Sequence, residues 1–337
     1  MKRAKDLLEK VVDFDNLRLA FWKASKGKRY ALETRTYQMD LDNNLSHLSS
    51  QILMAHPDKI GRGSVSVGNY RYFKVFEPKE RQICASAFGE QVLHHALMNV
   101  CHPYFERSLV FDSYASRKGK GTYAAIESAK LYSNRYNCFL KLDVKKFFES
   151  VHHAVLKRQL SQLFKDNAVL SLLFQIIDSY EAHEERGLPI GNLTSQYFAN
   201  HYLSSLDHFI KEELGIKAYV RYMDDMVLWH DDKTVLKTAF KKIKDFVEKE
   251  LQCCLKPELL NYTRRGLPFL GYVIRPYHVT LTQTSKQRFI RKMNLVDAHY
   301  HSGEWSEAKC QRRALPLLAF IEHADTEGLK KKLMDNL

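Results

Sequence analysis

Apolar positions recur at two spacings along this chain, and each spacing predicts one type of secondary structure. Over residues 234–251 the apolar side chains repeat with the helical period and lysines fill the opposite face, which is typical of an amphipathic helix packed on a core. The same reasoning predicts helices over 5–54, 91–100 and 151–180, in the stretch after Asn192, and in the basic region that runs to Leu337.

Short apolar or alternating runs predict strands at YRYFKVF (70–76) and around FLGYVI. Two further stretches, NCFLKLDVKKFF and AYVRYMDDMVLWHDD, also predict strands. The run NCFLKLDVKKFF begins as an apolar strand and places Asp143 near its end. In AYVRYMDDMVLWHDD two apolar runs are joined through Asp224 and Asp225, as in a hairpin with acids at its turn. Because strands and helices interleave without a strict βαβ repeat, we predict an α+β fold with an antiparallel sheet.

The composition favours a folded protein with an acidic partner. The 337 residues are 45% hydrophobic, which is enough to fill sizeable cores. Lys and Arg number 52 against 39 Asp and Glu, a formal net charge of +13. Nucleic acid is the commonest acidic partner of such chains. A solvated basic surface is the alternative interpretation of the charge alone.

The cysteines and the N-terminus bear on the compartment. The six cysteines have no CxxC or zinc-finger spacing and sit mostly among apolar residues, so we expect reduced core cysteines in a cytoplasmic protein. The start, MKRAKDLLEKVVDF, mixes charges into every turn, unlike a signal peptide. No run of about 18 apolar residues occurs, so no membrane association is predicted.

Three acids stand out because their neighbours are apolar: Asp143 in FLKLDVKKFF, and Asp224 and Asp225 in YMDD. A carboxylate among strand-forming residues costs desolvation free energy unless a cation or hydrogen bonds offset it. Two Mg²⁺ ions, or Mn²⁺ in their place, would offset the repulsion, since Mg²⁺ prefers oxygen ligands. Such a pair of ions supports phosphoryl transfer by activating the attacking hydroxyl and stabilising the leaving oxygen. A merely polar turn is the alternative for an isolated Asp-Asp pair.

The order of LDVKKFF, GLPIGN, YMDD and FLGY along the chain resembles that of reverse transcriptases. The resemblance covers about residues 70–275 by motif, and nearly the whole chain more loosely. It implies a right-hand polymerase with an N-terminal region and fingers over 1–135 and a palm with an antiparallel sheet over 136–275. The palm would include finger-side helices at about 151–185, and residues 276–337 would form a helical thumb.

The resemblance also implies a metal site. Asp143 and Asp224 would ligate both metal ions, and Asp225 would assist. The carbonyl of Val144 would complete the shell. The FLGY motif would form a primer grip that holds the 3′ end of the growing strand.

Substrate contacts are implied in the same way. Phe148 in FFES stands where the family places a bulky steric gate against a 2′-hydroxyl, with ordinary core packing as its alternative. Lys79 and Arg81 in PKERQI would clamp the incoming triphosphate, Arg being suited by its planar fork. Arg117 in DSYASRKGKG would touch the template or the incoming base, with a solvated loop charge as its alternative, and Lys256 would donate a proton to pyrophosphate.

The stretch GLPIGNLTSQYFAN departs from the general pattern of that family. Most reverse transcriptases have Gln where this chain has Ile190, before Gly191, and Ser-Pro where it has Ser195 and Gln196. The motif IGNLTSQ is instead similar to the reverse transcriptases of diversity-generating retroelements, as are WKASKGKR, FEPKERQI and DSYASRKGKGT. Ile190, Gly191 and Gln196 are therefore expected to contribute to substrate binding.

This narrower likeness implies an RNA-directed DNA polymerase that copies a template-repeat RNA into adenine-mutagenised cDNA. Its partners would be the template RNA, the RNA/cDNA duplex, dNTPs and an accessory variability protein, a small basic oligomer. The system would be bacterial, archaeal or phage-encoded. Two alternatives stay open: a defence-associated or retron-type reverse transcriptase, and a non-catalytic RNA-binding protein with the shape of a polymerase.

Ile190 suggests a physical reason for error-prone copying. Polar partners discriminate strongly because a mismatch leaves them unpaired, whereas an apolar wall separates similar ligands by only about 1 to 3 kcal/mol. We therefore expect Ile190 to loosen a check on the incoming pair that the usual Gln would supply. Buried packing without any effect on fidelity is the alternative.

Overall fold

The computed structural model describes residues 3–55, 65–76 and 80–334, which form helices and three small antiparallel sheets. The helices are α1 (Leu8–Val12), α2 (Phe14–Ser25), α3 (Leu32–Met39), α4 (Leu41–Met54), α5 (Phe88–Ser108), α6 (Thr122–Arg135), α7 (Phe147–Ser150), α8 (His153–Leu163), α9 (Asn167–Asp178), α10 (Leu193–Tyr202), α11 (Ser204–His208), α12 (Lys233–Lys249), α13 (Gln283–His301), α14 (Glu307–Ile321) and α15 (Glu327–Met334). The strands are β1 (Tyr70–Val75), β2 (Arg81–Ser86), β3 (Cys138–Asp143), β4 (Ala218–Tyr222), β5 (Asp225–His230), β6 (Leu259–Tyr262), β7 (Leu267–Phe269), β8 (Tyr272–Arg275) and β9 (His278–Leu281).

The chain divides into two compact units, and each is assembled from three separate segments. The first unit comprises Met1–Phe111, Val144–Glu213 and Ile243–Lys256. The second comprises Asp112–Asp143, Leu214–Lys242 and Pro257–Leu337. The division into 1–135, 136–275 and 276–337 therefore stays a prediction about functional regions rather than a description of these compact units.

Helix α5 forms the centre of the first unit and packs against α2, α10 and α1. Its residues Val92, Leu93, Ala96, Leu97 and Met98 are all buried, and they surround the helix instead of forming one stripe. A helix that is apolar all round is expected in an interior. Helix α5 extends beyond the 91–100 stretch predicted from spacing, and buried Phe88, Cys101 and Phe105 lie in the added turns.

A carboxylate joins the N-terminal helices to the middle of the chain in the first unit. Asp166 caps α9 by accepting hydrogen bonds from the backbone N–H groups of Ala168 and Val169, both at 3.1 Å. Its second oxygen accepts the N–H of Leu7 at 2.7 Å. One side chain thus satisfies donors at a helix N-terminus and donors from a segment 159 residues away.

The second unit contains a four-stranded sheet and a three-stranded sheet around one apolar core. The strand order is β4-β5-β3-β6 in the larger sheet and β7-β8-β9 in the smaller one, and all pairs are antiparallel. Phe139, Trp229 and Phe269 are buried in the shared core. The indole N–H of Trp229 donates to Ser133 Oγ at 3.1 Å, so the large buried ring has no unsatisfied donor.

Sequence patterning located most of these elements, and the α+β prediction with an antiparallel sheet is confirmed. The helical region predicted at 151–180 consists of two helices, α8 and α9. Asn192 occupies the N-cap position of α10, and its side chain makes no capping hydrogen bond. Strand β9 was not predicted, because HVTL is too short to show a period.

All six cysteines are free thiols, and only Cys254 is exposed. Within the ranges that the structure describes, no helix combines the length and the apolar character needed to cross a bilayer.

A buried acid in the first unit makes stability depend on pH. Glu90 in α5 accepts the N–H of Gly68 at 3.1 Å, and its carboxylate lies 3.5 Å from the imidazole of His94. Burial raises the pKa of Glu90 to about 7, and hydrogen bonds from the Gly68 and Asn69 backbone offset this only in part. Burial lowers the pKa of His94 to about 3, so the imidazole is neutral and the contact is not an ion pair.

We predict that Glu90→Gln stabilises the protein at alkaline pH. The pKa of Glu90 in the folded state lies above its ordinary value of 4.5, so protonated Glu90 favours the folded state. This contribution to the free energy of unfolding is complete below about pH 4.5 and is lost as the pH rises through about 7. Gln keeps the acceptor oxygen for Gly68 and does not titrate. The free energy of unfolding of the variant, relative to wild type, should rise by about 2 kcal/mol between pH 5 and pH 8 in urea denaturation.

The matched control is Glu127→Gln, since Glu127 is an exposed acid on α6 that pairs with Lys130. This control should change the free energy of unfolding by less than about 0.5 kcal/mol across the same range. A difference between Glu90→Gln and wild type that does not vary with pH would contradict the assignment.

Candidate active site

A two-residue loop between β4 and β5 presents one of the three acids. Tyr222 pairs with Asp225 across the ladder, which leaves Met223 and Asp224 as the loop. Met223 has φ +53°, a left-handed conformation that is costly for a large side chain. Two-residue hairpin loops require positive φ because their twist must match that of the strands. The strain at Met223 therefore follows from the tightness of the loop.

Asp143 is the last residue of β3, and it lies directly opposite Asp225 in the antiparallel register. Opposed residues in such a ladder have Cα atoms only about 5 Å apart. The register thus brings together two acids that are 82 positions apart in the sequence, with Asp224 adjacent in the loop. Like charges directly opposite each other destabilise a sheet, so this arrangement requires nearby positive charge.

Lys141 supplies positive charge to this end of the sheet. It lies two residues before Asp143 on β3, so both side chains point to the same face. Its ammonium is 3.0 Å from Asp225 Oδ1 and also donates to the Pro268 carbonyl at 3.1 Å. The side chains of Lys141 and Asp225 are only 22% and 24% exposed, so this contact is better shielded than an ordinary surface ion pair.

Arg221 is wholly buried in β4 and contacts the backbone of the Met223–Asp224 loop. Its guanidinium donates to the Met223 carbonyl at 3.1 Å. Its backbone N–H donates to the Asp112 carbonyl, and its carbonyl accepts the N–H of Tyr114, both at 2.9 Å. The segment at Asp112–Tyr114 thereby covers the outer edge of β4, which would otherwise be an open sheet edge.

The loop that contains Arg117 is attached to the same strand edge. Arg117 donates to the Ser113 carbonyl at 2.7 Å, and Ser113 forms a parallel bridge with Arg221. Thr122, at the start of α6, donates to the hydroxyl of Tyr222 at 3.1 Å. Arg117 is therefore linked through Ser113 to the strand that leads into the acidic loop.

Three predicted residues of the first unit lie on segments near Asp143 in the sequence or on a segment bridged to them: Val144, Phe148 and Lys256. Val144 is buried and forms an antiparallel bridge with Leu255, next to the exposed Lys256. Phe148 is half-buried in α7, with its ring 5.8 Å from the buried ring of Phe147. Of the two adjacent phenylalanines, Phe148 is the one with an accessible surface.

Ile190 and Gly191 lie beside β2 in the first unit. The carbonyl of half-buried Ile190 accepts the N–H of Cys84 at 2.7 Å. Gly191 has φ +122°, and a Cβ there would lie 2.8 Å from Ile83 Cγ2 and 3.2 Å from the Cys84 carbonyl oxygen. The chain's own strand therefore requires glycine at this position, independently of any substrate.

The other predicted positions of the first unit lie at exposed places or outside the described residues. Gln196 is exposed on α10, and Arg81 is exposed as the first residue of β2, opposite Val75. Lys79 lies outside the described residues.

The three acids suit a hard divalent cation by the chemistry of their donors. All offer carboxylate oxygens, the atoms that Mg²⁺ and Mn²⁺ prefer. Within residues 3–55, 65–76 and 80–334, no three His, Cys, Asp or Glu side chains converge closely enough to form a complete metal cage. Mg²⁺ is typically held by one or two carboxylates, with water and substrate phosphates in its remaining positions. By donor chemistry, the three carboxylates would supply only part of such a shell, and water and substrate phosphates would supply the rest.

Two basic residues of this site were missed by the sequence interpretation. Lys141 in FLKLD and Arg221 in YVRYM are each the single cation of a strand whose other residues are apolar or aromatic, apart from Asp143 at the end of β3. That feature was a usable signal, because a charge in a buried strand needs a partner. The sequence contains no indication, however, that the partners would be Asp225, Pro268 and Met223.

Comparisons with known proteins identify a family for this chain. The family profile described as "Reverse transcriptase (RNA-dependent DNA polymerase)" matches residues 78–274. The putative COX1/OXI3 intron 2 protein of Saccharomyces cerevisiae is 20% identical over 303 residues, which cover 70% of this chain and 34% of that protein. Protein YkfC of Escherichia coli is 23% identical over 155 residues, which cover 41% of this chain and 40% of that protein. The aligned part of this chain thus spans well under half the length of either relative.

Solved telomerase structures from Candida tropicalis share the fold. The apo enzyme truncated from its C-terminal domain matches with a TM-score of 0.50 and 14% identity, over 63% of this chain and 55% of that one. Another apo telomerase structure matches with a TM-score of 0.50 and 13% identity, over 73% of this chain and 54% of that one. The right-hand polymerase fold expected from the motifs is confirmed, and at these identities the likeness concerns the fold alone.

We predict that Arg221→Lys lowers the free energy of unfolding by about 2 kcal/mol, measured by urea denaturation. Lysine keeps the charge but cannot reproduce the guanidinium geometry that reaches the Met223 carbonyl from a fully buried site. Arg186→Lys is the control, since Arg186 also donates to backbone carbonyls but lies partly exposed. Equal losses in the two variants would show that burial of Arg221 has no particular importance.

Proposed function

Because this chain belongs to the reverse transcriptase family, whose profile matches residues 78–274, we propose that it is an RNA-directed DNA polymerase. The reaction is nucleotidyl transfer from a dNTP to the 3′ hydroxyl of a growing DNA strand, directed by an RNA template. The net charge of +13 supports binding to the template RNA and the RNA/cDNA duplex.

The observation that carries the proposal is the position of Asp143 opposite Asp225, with Asp224 in the adjoining two-residue loop. In this proposal Asp143 and Asp224 hold two Mg²⁺ ions, or Mn²⁺, while Asp225 assists and the Val144 carbonyl contributes a further oxygen. Bound ions at such a site supply positive charge that lowers the pKa of an attacking hydroxyl and balances charge on the leaving oxygen. The chain itself contributes the fixed spacing of the carboxylates and the strained loop that presents Asp224.

Residues of the first unit are proposed to bind the nucleotide. Arg81 and Lys79 contact the triphosphate, and the accessible ring of Phe148 excludes the 2′-hydroxyl of a ribonucleotide. Lys256 donates a proton to pyrophosphate. In the second unit, Arg117 contacts the template or the incoming base from a loop that is ordered by its bond to Ser113.

We further propose that the protein is the polymerase of a diversity-generating retroelement in a bacterium, archaeon or phage. The supporting observation is the IGNLTSQ stretch, in which Ile190 replaces the usual Gln and Gln196 replaces the usual Pro. Such an enzyme copies a template-repeat RNA with errors at adenines, and it acts in the cytoplasm with a small basic accessory protein. The half-buried Ile190 side chain is available to form an apolar wall beside the incoming pair.

We predict that Asp224→Asn lowers primer extension on an RNA template by at least about 1,000-fold, because the amide loses the negative charge that divalent ions require. RNA binding by the variant should stay within about twofold of wild type, since one charge among many contributes little to a polyelectrolyte interaction. Extension is measured with labelled primer, RNA and dNTPs, and binding is measured by fluorescence anisotropy.

Asp231→Asn is the matched control for this experiment. Asp231 follows β5 at the other end of the same hairpin, and its oxygen accepts hydrogen bonds from Asn137 that an Asn side chain can also accept. Extension by Asp224→Asn at the wild-type rate would refute the assignment of the site. RNA binding without any extension by wild type would favour the non-catalytic alternative.

We predict that Ile190→Gln lowers misincorporation opposite template adenines by up to about tenfold, because a polar partner penalises mismatches that an apolar wall tolerates. The backbone hydrogen bond from Cys84 to Ile190 does not depend on the side chain, so the local fold should persist. The measurement is sequencing of cDNA made on one defined RNA template.

Ile190→Leu is the control, because it keeps an apolar side chain of the same volume class and should leave the error spectrum unchanged. An unchanged spectrum in Ile190→Gln, with normal extension, would mean that Ile190 serves only for packing.

A further inference from the structure

Lys141 connects two parts of the second unit that the proposed reaction assigns to different tasks. Its ammonium lies 3.0 Å from Oδ1 of Asp225, one of the three acids. The same ammonium donates to the carbonyl of Pro268 at 3.1 Å. Pro268 is the central residue of β7, directly before Phe269 of the FLGY motif.

The geometry of the sheet explains why Lys141 reaches both partners. Lys141 and Asp143 lie on the same face of β3, and Lys141 pairs with Val227 while Asp143 pairs with Asp225. The lysine is therefore the diagonal neighbour of Asp225, a separation that a long side chain spans. Three cross-strand pairs follow one another along this face. Phe139 and Trp229 lie in the apolar core, Lys141 and Val227 come next, and Asp143 and Asp225 are at the end.

The surroundings of Lys141 limit the freedom of its side chain. It is only 22% exposed, and its ammonium lies 6.0 Å from the centre of the buried Phe269 ring. A shielded contact of this kind is screened less by salt than an exposed pair. The three carboxylates and this ammonium carry a formal charge of −2, which favours the binding of divalent cations.

We propose that Lys141 is a positioning residue that joins Asp225 to the β7 carbonyl of Pro268. Lys141 holds the Asp225 carboxylate in place and offsets part of its charge. Asp225 thereby assists at the metal site, while Asp143 and Asp224 ligate the ions. Lys141 also ties the position of the β7–β8 hairpin to the acids. This inference rests on the proposed polymerase function for its kinetic consequences, while its structural and electrostatic consequences hold for the protein without substrate.

The test compares Lys141→Met with wild type by three measurements. Methionine keeps the length and apolar stem but removes the charge and the donors. Hydrogen exchange of metal-free protein should be faster over Leu267–Arg275 in the variant, because the tether to Pro268 is absent. Binding of Mn²⁺ to protein without nucleic acid, followed by electron paramagnetic resonance, should tighten about three- to tenfold, since a repelling cation is gone.

Primer extension is the third measurement. At saturating Mg²⁺, kcat of Lys141→Met should fall at least about tenfold because Asp225 loses its fixed position, while KM for dNTP should change less than about threefold. Tighter metal binding combined with slower turnover separates this role from simple loss of folding, which would weaken both. If wild type itself proves inactive, the proposed function fails, but exchange and Mn²⁺ binding still decide the role of Lys141.

Two further substitutions keep the proposal testable if Lys141→Met does not fold. Lys141→Gln retains a donor for the Pro268 carbonyl without the charge, so it should bind Mn²⁺ tightly and show near-normal exchange. Lys141→Arg retains both charge and donors, so its Mn²⁺ affinity should stay within about twofold of wild type and its activity should recover in part.

The matched control is Lys157→Met. Lys157 is also partly buried, with 29% exposure, it pairs with Asp178 at 2.6 Å, and it lies 5.6 Å from the Phe174 ring. This variant should leave Mn²⁺ binding, exchange over Leu267–Arg275 and kcat unchanged. The proposal is overturned if the charge-removing variants at Lys141 bind Mn²⁺ like this control, or if Lys141→Met folds and exchanges like wild type.

Discussion

The antiparallel register of β3 with β5 is the constraint on which the candidate site depends, because it places the carboxylates of Asp143 and Asp225 directly opposite each other. Two like charges in that relation oppose pairing of the strands. The buried apolar pairs farther along the same ladder, such as Phe139 with Trp229, compensate for this repulsion. A slip of one residue would turn Asp143 to the other face and bury it, so the core also enforces the register.

Lys141 and Arg221 stabilise this arrangement of opposed acids and strained loop in different ways. Lys141 acts on charge, since its ammonium contacts Asp225 directly. Arg221 acts on backbone conformation, since it donates to the carbonyl of Met223, whose left-handed φ of +53° is unfavourable for its side chain. A strained loop persists only when its surroundings determine it, and here the Asp112–Tyr114 segment and the sheet provide those surroundings. These contacts support the loop beside the acids of the proposed metal site.

The family match supports the general function, a reverse transcriptase, whereas the narrower retroelement assignment rests on sequence motifs. The family profile covers more than half of the chain, and the acids occupy the strand end and loop that the motifs indicated. The retroelement assignment depends on fewer residues, mainly Ile190 and Gln196. Gly191 no longer supports it independently, because β2 alone accounts for glycine at that position.

The sequence by itself determined the type of most elements, the α+β class and the hairpin that carries YMDD, because periodicity and tight turns are properties of neighbouring residues. It also singled out three acids as candidates for a metal site, since carboxylates in apolar strands need compensation. Only the tertiary structure decided how far α5 extends, how each unit is assembled from three segments, and which partner each buried cation has. Lys141 and the Pro268 carbonyl are 127 residues apart, and no local spacing encodes such a contact, because it arises only when the two sheets close around one core.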